Sequence, residues 1–75
     1  MSGKITQIES DVVDGAYVDT WWDGQSRNWI TQLKTPSGFQ IGDAMFAANK
    51  EGAEVSHRFM VNEANDRIED YTGIL

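Results

Sequence analysis

The stretch from residue 17 to residue 46 constrains the fold more than any other part of the chain. Three runs in it alternate apolar and polar residues, which is the period of a β-strand with one buried face. Two clusters of turn-forming residues separate the runs, and all three tryptophans lie within the stretch. An antiparallel meander places the following side chains on one face of a sheet: Val18, Trp22, Trp29, Leu33, Ile41 and Met45.

The two polar clusters predict the hairpin turns of this meander. The loop at 23–28 predicts a hairpin connection that brings Trp22 opposite Trp29 as an aromatic cross-strand pair. In the second cluster Pro36 presets a type I turn, and Gly38 accepts the left-handed conformation that follows. This turn pairs Thr35 with Phe39 and thereby aligns Leu33 with Ile41 and Trp29 with Met45.

A further strand is predicted over residues 5–13, where isoleucine and valine recur among polar residues. A three-residue loop with Gly15 in the left-handed region would pair Ile8 with Thr20 and turn the apolar side chains towards the face of Val18. A two-residue turn at 14–15 would send the same side chains to the other face. We prefer the first register because it keeps two acidic residues of this strand, Glu9 and Asp11, out of the core.

The apolar period changes to that of a helix after Asn49, which is a suitable N-cap. Gly73 is a natural stop. The helical stripe consists of Ala53, His57, Met60, Ala64, Ile68 and Tyr71, and Val55 with Phe59 would widen it. In the alternative interpretation, residues 43–51 form a short helix and residues 55–61 a fourth strand. We favour the long helix.

These patterns predict a single domain over residues 1–75, of class α+β: a four-stranded antiparallel β-meander with one face covered by a C-terminal helix. The chain has no cysteine, so neither a disulfide nor a thiolate zinc site can stabilise it. Its core therefore depends on a few large residues, which is typical of a domain of this length.

No motif indicates catalysis. His57 is the only histidine, and its place in the helical stripe favours a residue at the core margin over a metal ligand or a general base. A carboxylate pair such as Asp19 and Asp43 could serve acid-base chemistry, but their spacing does not bring them together. No serine lies in a Gly-x-Ser-x-Gly motif, and no glycine cluster forms a phosphate loop. We expect no enzymatic activity, no metal and no cofactor.

The chain is acidic, with twelve acidic and six basic residues, a formal net charge of −6 and a pI near 4.4. Such a field repels phosphate backbones and attracts basic surfaces, so we expect no direct binding to nucleic acid. No apolar run is long enough to span a membrane, and the first residues lack the apolar core of a signal peptide. A cytoplasmic protein without membrane contact is the expectation.

The predicted sheet face that points away from the helix combines large aromatics with carboxylates. Interface centres favour such aromatics, and complementary charge accelerates encounter. We therefore predict a partner-binding site with three aromatic anchors and three carboxylates that steer a basic protein surface: Tyr17, Trp21 and Phe46, with Glu9, Asp11 and Asp19.

The predicted function is that of a small acidic protein-binding module, an inhibitor or adaptor that docks on a basic, nucleic-acid-handling protein. In size, acidity and lack of catalytic motifs the chain is similar to the small inhibitors that phages and plasmids deploy against host defence, including anti-CRISPR proteins. That likeness rests on no specific residues. One alternative is a homodimeric structural or accessory protein of a bacterium or phage, whose aromatic face is its dimer interface. Another is a minor enzyme or small-ligand binder, which would need a concave pocket with converging polar groups.

Overall fold

The computed structural model of the chain describes residues 6–12 and 15–66. Four antiparallel strands form one sheet in the order β1-β2-β3-β4, and a single helix follows them. The helix packs on β2, β3 and β4, which confirms the predicted α+β meander with one covered face. The elements are β1 (Gln7–Asp11), β2 (Tyr17–Asp23), β3 (Asn28–Lys34), β4 (Gln40–Ala47) and α1 (Lys50–Asp66).

The first hairpin adopts the preferred register. Ile8 pairs with Thr20, and the Val12 amide donates to the Ala16 carbonyl at 3.0 Å. Gly15 has a φ of 83°, the left-handed conformation that the three-residue loop requires. Ile8 therefore lies on the sheet face that contacts α1, and the two-residue alternative is wrong.

The second hairpin brings Trp22 opposite Trp29, as predicted. Their rings meet edge to face, with centroids 5.9 Å apart and planes at 61°. Asp23 stabilises the turn below them because its carboxylate accepts hydrogen bonds from the Ser26 hydroxyl at 2.8 Å and the Gln25 amide at 3.3 Å. These two hydrogen bonds hold the pKa of Asp23 below its ordinary value.

The third hairpin pairs Leu33 with Ile41, as predicted, but Trp29 lies opposite Ala47 rather than Met45. A bulge causes the difference: residues 42–44 of β4 stand opposite one residue of β3, with Gly42 at a φ of 72°. Because the shift is an even number of residues, side-chain alternation is preserved, and Met45 still faces α1.

Helix α1 begins as predicted, since the Asn49 side-chain oxygen accepts the Gly52 amide at 2.8 Å. Ala53, His57 and Ala64 are buried against the sheet. The strand alternative for residues 55–61 is wrong. Neither residue predicted to widen the stripe is buried. Val55 is 58% exposed on the side of α1 opposite Ala53, and Phe59 is 54% exposed at the rim of the helix beside β4. Ile68, Tyr71 and Gly73 lie outside the described residues.

The hydrophobic core lies between α1 and the sheet. Its buried members are mostly small or branched, so the helix can approach the strands closely. They are Ala16, Val18, Leu33, Ile41 and Ala64, with Val12, Met60 and Val61 packed partly buried against them.

Candidate functional site

The sheet face opposite α1, here called the open face, presents three rows of side chains that run across the strands. The first row, called the apolar row, consists of Trp21, Ile30 and Phe46, which are directly paired across β2, β3 and β4. Phe46 is 64% exposed, and the other two are half-buried. Two of the three predicted anchors therefore belong to one continuous apolar strip, and Ile30 joins them.

The middle row is polar and tightly bonded. Asp19 is only 5% exposed, although α1 does not cover this face. Its carboxylate accepts hydrogen bonds from the Gln7 side-chain amide at 3.0 Å and the Lys34 ammonium at 2.9 Å. The prediction that Asp19 is an exposed steering charge is therefore corrected: its cross-strand neighbours enclose it, and its charge is paired within the sheet.

Tyr17 lies in the third row, paired with Asp11 and Lys34. It is four residues from Trp21 on the same strand, a distance of about 13 Å. The polar middle row separates the two rings, so the predicted aromatic set divides into the apolar row and an isolated tyrosine. Lys34, in the third row, contacts both other rows. Its Nζ atom donates to Asp19 in the middle row and lies 4.8 Å from the centroid of the Trp21 ring in the apolar row.

The two remaining predicted carboxylates lie on the outermost strand. Glu9 and Asp11 are exposed at the open face of β1 and are here called the acidic edge. Each faces an inner-strand residue, Asp19 and Tyr17 respectively. The open face thus places an apolar row near one end of the strands and an acidic edge along one side.

A second arrangement, which the sequence does not reveal, lies under the helix. Both ring nitrogens of His57 are hydrogen-bonded: Nε2 with the Ser10 hydroxyl at 2.8 Å and Nδ1 with the Thr20 hydroxyl at 2.7 Å. The Thr20 hydroxyl also bonds that of Thr31 at 2.9 Å. The only signal for this network is that Ser10, Thr20 and Thr31 alternate onto the same face as the helix.

The geometry of this network favours a structural role. Serine and histidine are close enough for proton transfer, but a threonine rather than a carboxylate holds the second ring nitrogen. The ring thus lacks the directly hydrogen-bonded carboxylate that stabilises an imidazolium during nucleophilic catalysis. Across residues 6–12 and 15–66, no group of three or more histidine and carboxylate side chains is placed to hold a metal ion.

The His57 network predicts a pH dependence of stability. Burial lowers the pKa of His57 below its ordinary 6.5, and the negative charge of Asp19 opposes this shift. The unfolded chain therefore binds a proton at His57 more readily than the folded chain does. The contribution of His57 to the free energy of unfolding is fully present above pH 6.5 and is lost as the pH falls from there towards the folded-state pKa. Urea unfolding at about pH 7.5 and pH 5.5 measures the loss.

His57→Gln is the control for this prediction, since its side chain does not titrate. The variant should lose most of the slope between these two pH values. Asp23 does not interfere, because its ordinary pKa of 3.8 lies below the window. An equal slope in both proteins would show that other groups cause the dependence.

Open concavities lie on both sides of the helix. One, here called the β1 groove, has a volume of about 510 Å³ and is lined by Ile8, Ser10, Glu54, His57, Arg58 and Val61. The other lies between α1 and β4, with a volume of about 210 Å³ and the apolar residues Leu33, Ile41, Met45, Phe59 and Met60 in its wall. Neither is an enclosed cavity of the kind that small ligands favour.

Comparison of the chain with protein-family models, with curated proteins and with solved structures finds no match. No helix within the described residues has the length and apolarity needed to cross a bilayer.

Proposed function

We propose that the chain is a protein-binding module whose open face docks on a basic surface of a partner protein. The single observation that carries this proposal is the apolar row, which leaves Phe46 64% exposed on a sheet face that α1 does not cover. An aromatic ring held on a β-strand costs little conformational entropy to immobilise, which suits it to an interface centre.

Charge supports the choice of a basic partner. The chain has a net charge of −6, and the acidic edge exposes two carboxylates beside the open face. Lys34, a cation of this face, is paired with Asp19 rather than with the acidic edge. A surface with this pattern attracts a positive partner and repels phosphate groups.

The class of partner follows from the same chemistry. Proteins that handle nucleic acid expose large basic surfaces, and an acidic module that covers such a surface competes with phosphate for it. We therefore propose an inhibitor or adaptor that acts on a nucleic-acid-handling protein. The acidic edge would set the rate of encounter, whereas the apolar row would set the lifetime of the complex.

Phe46→Ala and Trp21→Ala test the proposal. Each should weaken binding to the partner by about 2 kcal/mol or more, because a buried aromatic anchor is lost from the interface. The wild-type chain, immobilised and exposed to lysate of its native cell, should retain a positively charged protein that both variants lose. Titration of that purified protein then measures the loss of affinity.

Phe59→Ala is a matched control, since Phe59 is 54% exposed but lies on the α1 side of the sheet, at the rim of the concavity between α1 and β4. It should retain the partner. Loss of the partner from Phe59→Ala but not from Phe46→Ala would show that the interface lies on the helix instead. Retention by all three variants would overturn the proposal.

Sedimentation tests the homodimer alternative. The exposed Phe46 ring suits a dimer interface as well as an outside partner. If the open face serves only self-association, wild-type chain sediments as a dimer, Phe46→Ala sediments as a monomer, and no outside protein is lost with the variant.

A further inference from the structure

Strand β1 forms one edge of the sheet, and its backbone hydrogen bonds show which of its groups face outwards. The Trp22 amide donates to the Thr6 carbonyl, and the Val12 amide donates to the Ala16 carbonyl, each at 3.0 Å. In an antiparallel pair these bonds alternate, so the even-numbered residues of β1 bond to β2. The backbone groups of Gln7, Glu9 and Asp11 consequently point away from the sheet, and no described strand pairs with them.

The two sides of this edge differ in chemistry. On the open face lies the acidic edge, Glu9 and Asp11, both exposed. On the other side lies the β1 groove between β1 and α1, with Ile8 and Val61 among its lining residues. A strand added at this edge would lie about 4.8 Å from β1 and would send its side chains alternately to these two sides.

We propose that the outer edge of β1 binds an extended peptide segment as an added strand, and that the segment alternates basic and apolar residues. Main-chain hydrogen bonds to Gln7, Glu9 and Asp11 provide the attachment, as in other complexes formed by strand addition. Basic side chains of the peptide lie beside the acidic edge, and apolar side chains enter the β1 groove.

Charge also argues against a second copy of this chain as the occupant. If β1 of another molecule paired here, its own Glu9 and Asp11 would lie beside identical carboxylates, which destabilises a cross-strand pair. Edge charges of this kind oppose self-association of sheets. A basic segment at the same position would instead be attracted by Glu9 and Asp11.

The proposal rests on the proposed function only for the sign of the partner's charge. The apolar row lies on β2, β3 and β4, whereas the bound peptide would contact β1 and α1. The acidic edge serves both proposals, but the apolar row and the main-chain groups of β1 can be tested separately, so each proposal can fail without the other.

Fluorescence anisotropy with a labelled peptide of alternating lysine and valine tests the inference. The full chain should bind this peptide at least ten times more tightly than the same peptide with glutamate in place of lysine. The joint variant Glu9→Lys with Asp11→Lys should reverse this preference. Because both side chains are exposed, the variant should fold, and circular dichroism verifies that it does.

A peptide whose backbone amides are N-methylated at the positions that face β1 separates strand addition from charge attraction alone. It retains every lysine but cannot donate to the edge, so it should bind at least ten times more weakly. Bound parent peptide should also slow hydrogen exchange at the amides of Gln7, Glu9 and Asp11. Equal affinity for the methylated and parent peptides, or unchanged exchange at these amides, would overturn the inference.

Trp21→Ala and Phe46→Ala should bind the parent peptide as the wild type does, because neither residue lines the edge or the groove. A loss of peptide affinity in these variants, with the acidic edge intact, would place the peptide on the apolar row instead and would overturn the strand-addition model.

Discussion

Leu33→Ala should lower the free energy of unfolding by about 2–5 kcal/mol, since it removes a buried branched side chain and leaves a cavity. Leu33 is 4% exposed and belongs to the core cluster between α1 and the sheet. A domain of 75 residues has a total stability of about 4–11 kcal/mol at the usual stability per residue. The substitution is therefore expected to remove a large share of the total stability.

Urea denaturation followed by tryptophan fluorescence measures this effect. Val55→Ala is the matched control, because Val55 is 58% exposed on the outer side of α1 and alanine favours a helix. It should change the stability by no more than about 0.5 kcal/mol. Equal destabilisation by the two variants would contradict the position of the core.

Thr20→Val should lower the free energy of unfolding by about 1–3 kcal/mol for each buried group that loses its hydrogen-bond partner. The Thr20 hydroxyl bonds both His57 Nδ1 and the Thr31 hydroxyl, and Thr20 is completely buried. In the described part of the chain every buried polar side-chain atom has a partner, so the valine variant would introduce unsatisfied groups into an otherwise satisfied interior. Valine has nearly the same shape as threonine, which keeps the packing constant.

Thr20→Ser is the control for this substitution, because it keeps the hydroxyl and loses only a methyl group. It should be more stable than Thr20→Val, although valine has the higher strand propensity. Thermal or urea unfolding compares the two. If the valine variant proves the more stable one, the network contributes little to folding.

Side-chain alternation explains why the sheet could be predicted. A shift of one residue would expose the whole apolar set, so the pattern around Trp22, Trp29 and Leu33 admits one choice of face. In the first hairpin, the left-handed conformation of Gly15 sets the loop length, and the loop length sets which face the side chains of β1 take. Gly42 is a signal for the bulge, since a glycine inside a strand often marks one. The bulge escaped prediction because it preserves the alternation on both sides of it.

The candidate site was predictable only in part, because its details depend on neighbours from other strands. Asp19 is buried by Gln7 and Lys34, which are remote in sequence and meet it only through pairing in the sheet. The separation of Tyr17 from Trp21 likewise follows from what occupies the row between them. Faces can be predicted from one strand, whereas burial on a face requires knowledge of the whole register.

The bulge in β4 also affects how large an assembly the sheet can support. The two lateral strands of the sheet differ: β1 pairs with β2 without a register shift, whereas β4 pairs with β3 through a bulge at residues 42–44. Polymerisation by edge-to-edge strand pairing needs two compatible edge strands on every subunit. A chain with a single regular edge strand can bind one added strand there and offers no second edge for further pairing. Complexes formed through β1 should therefore have a finite, one-to-one stoichiometry.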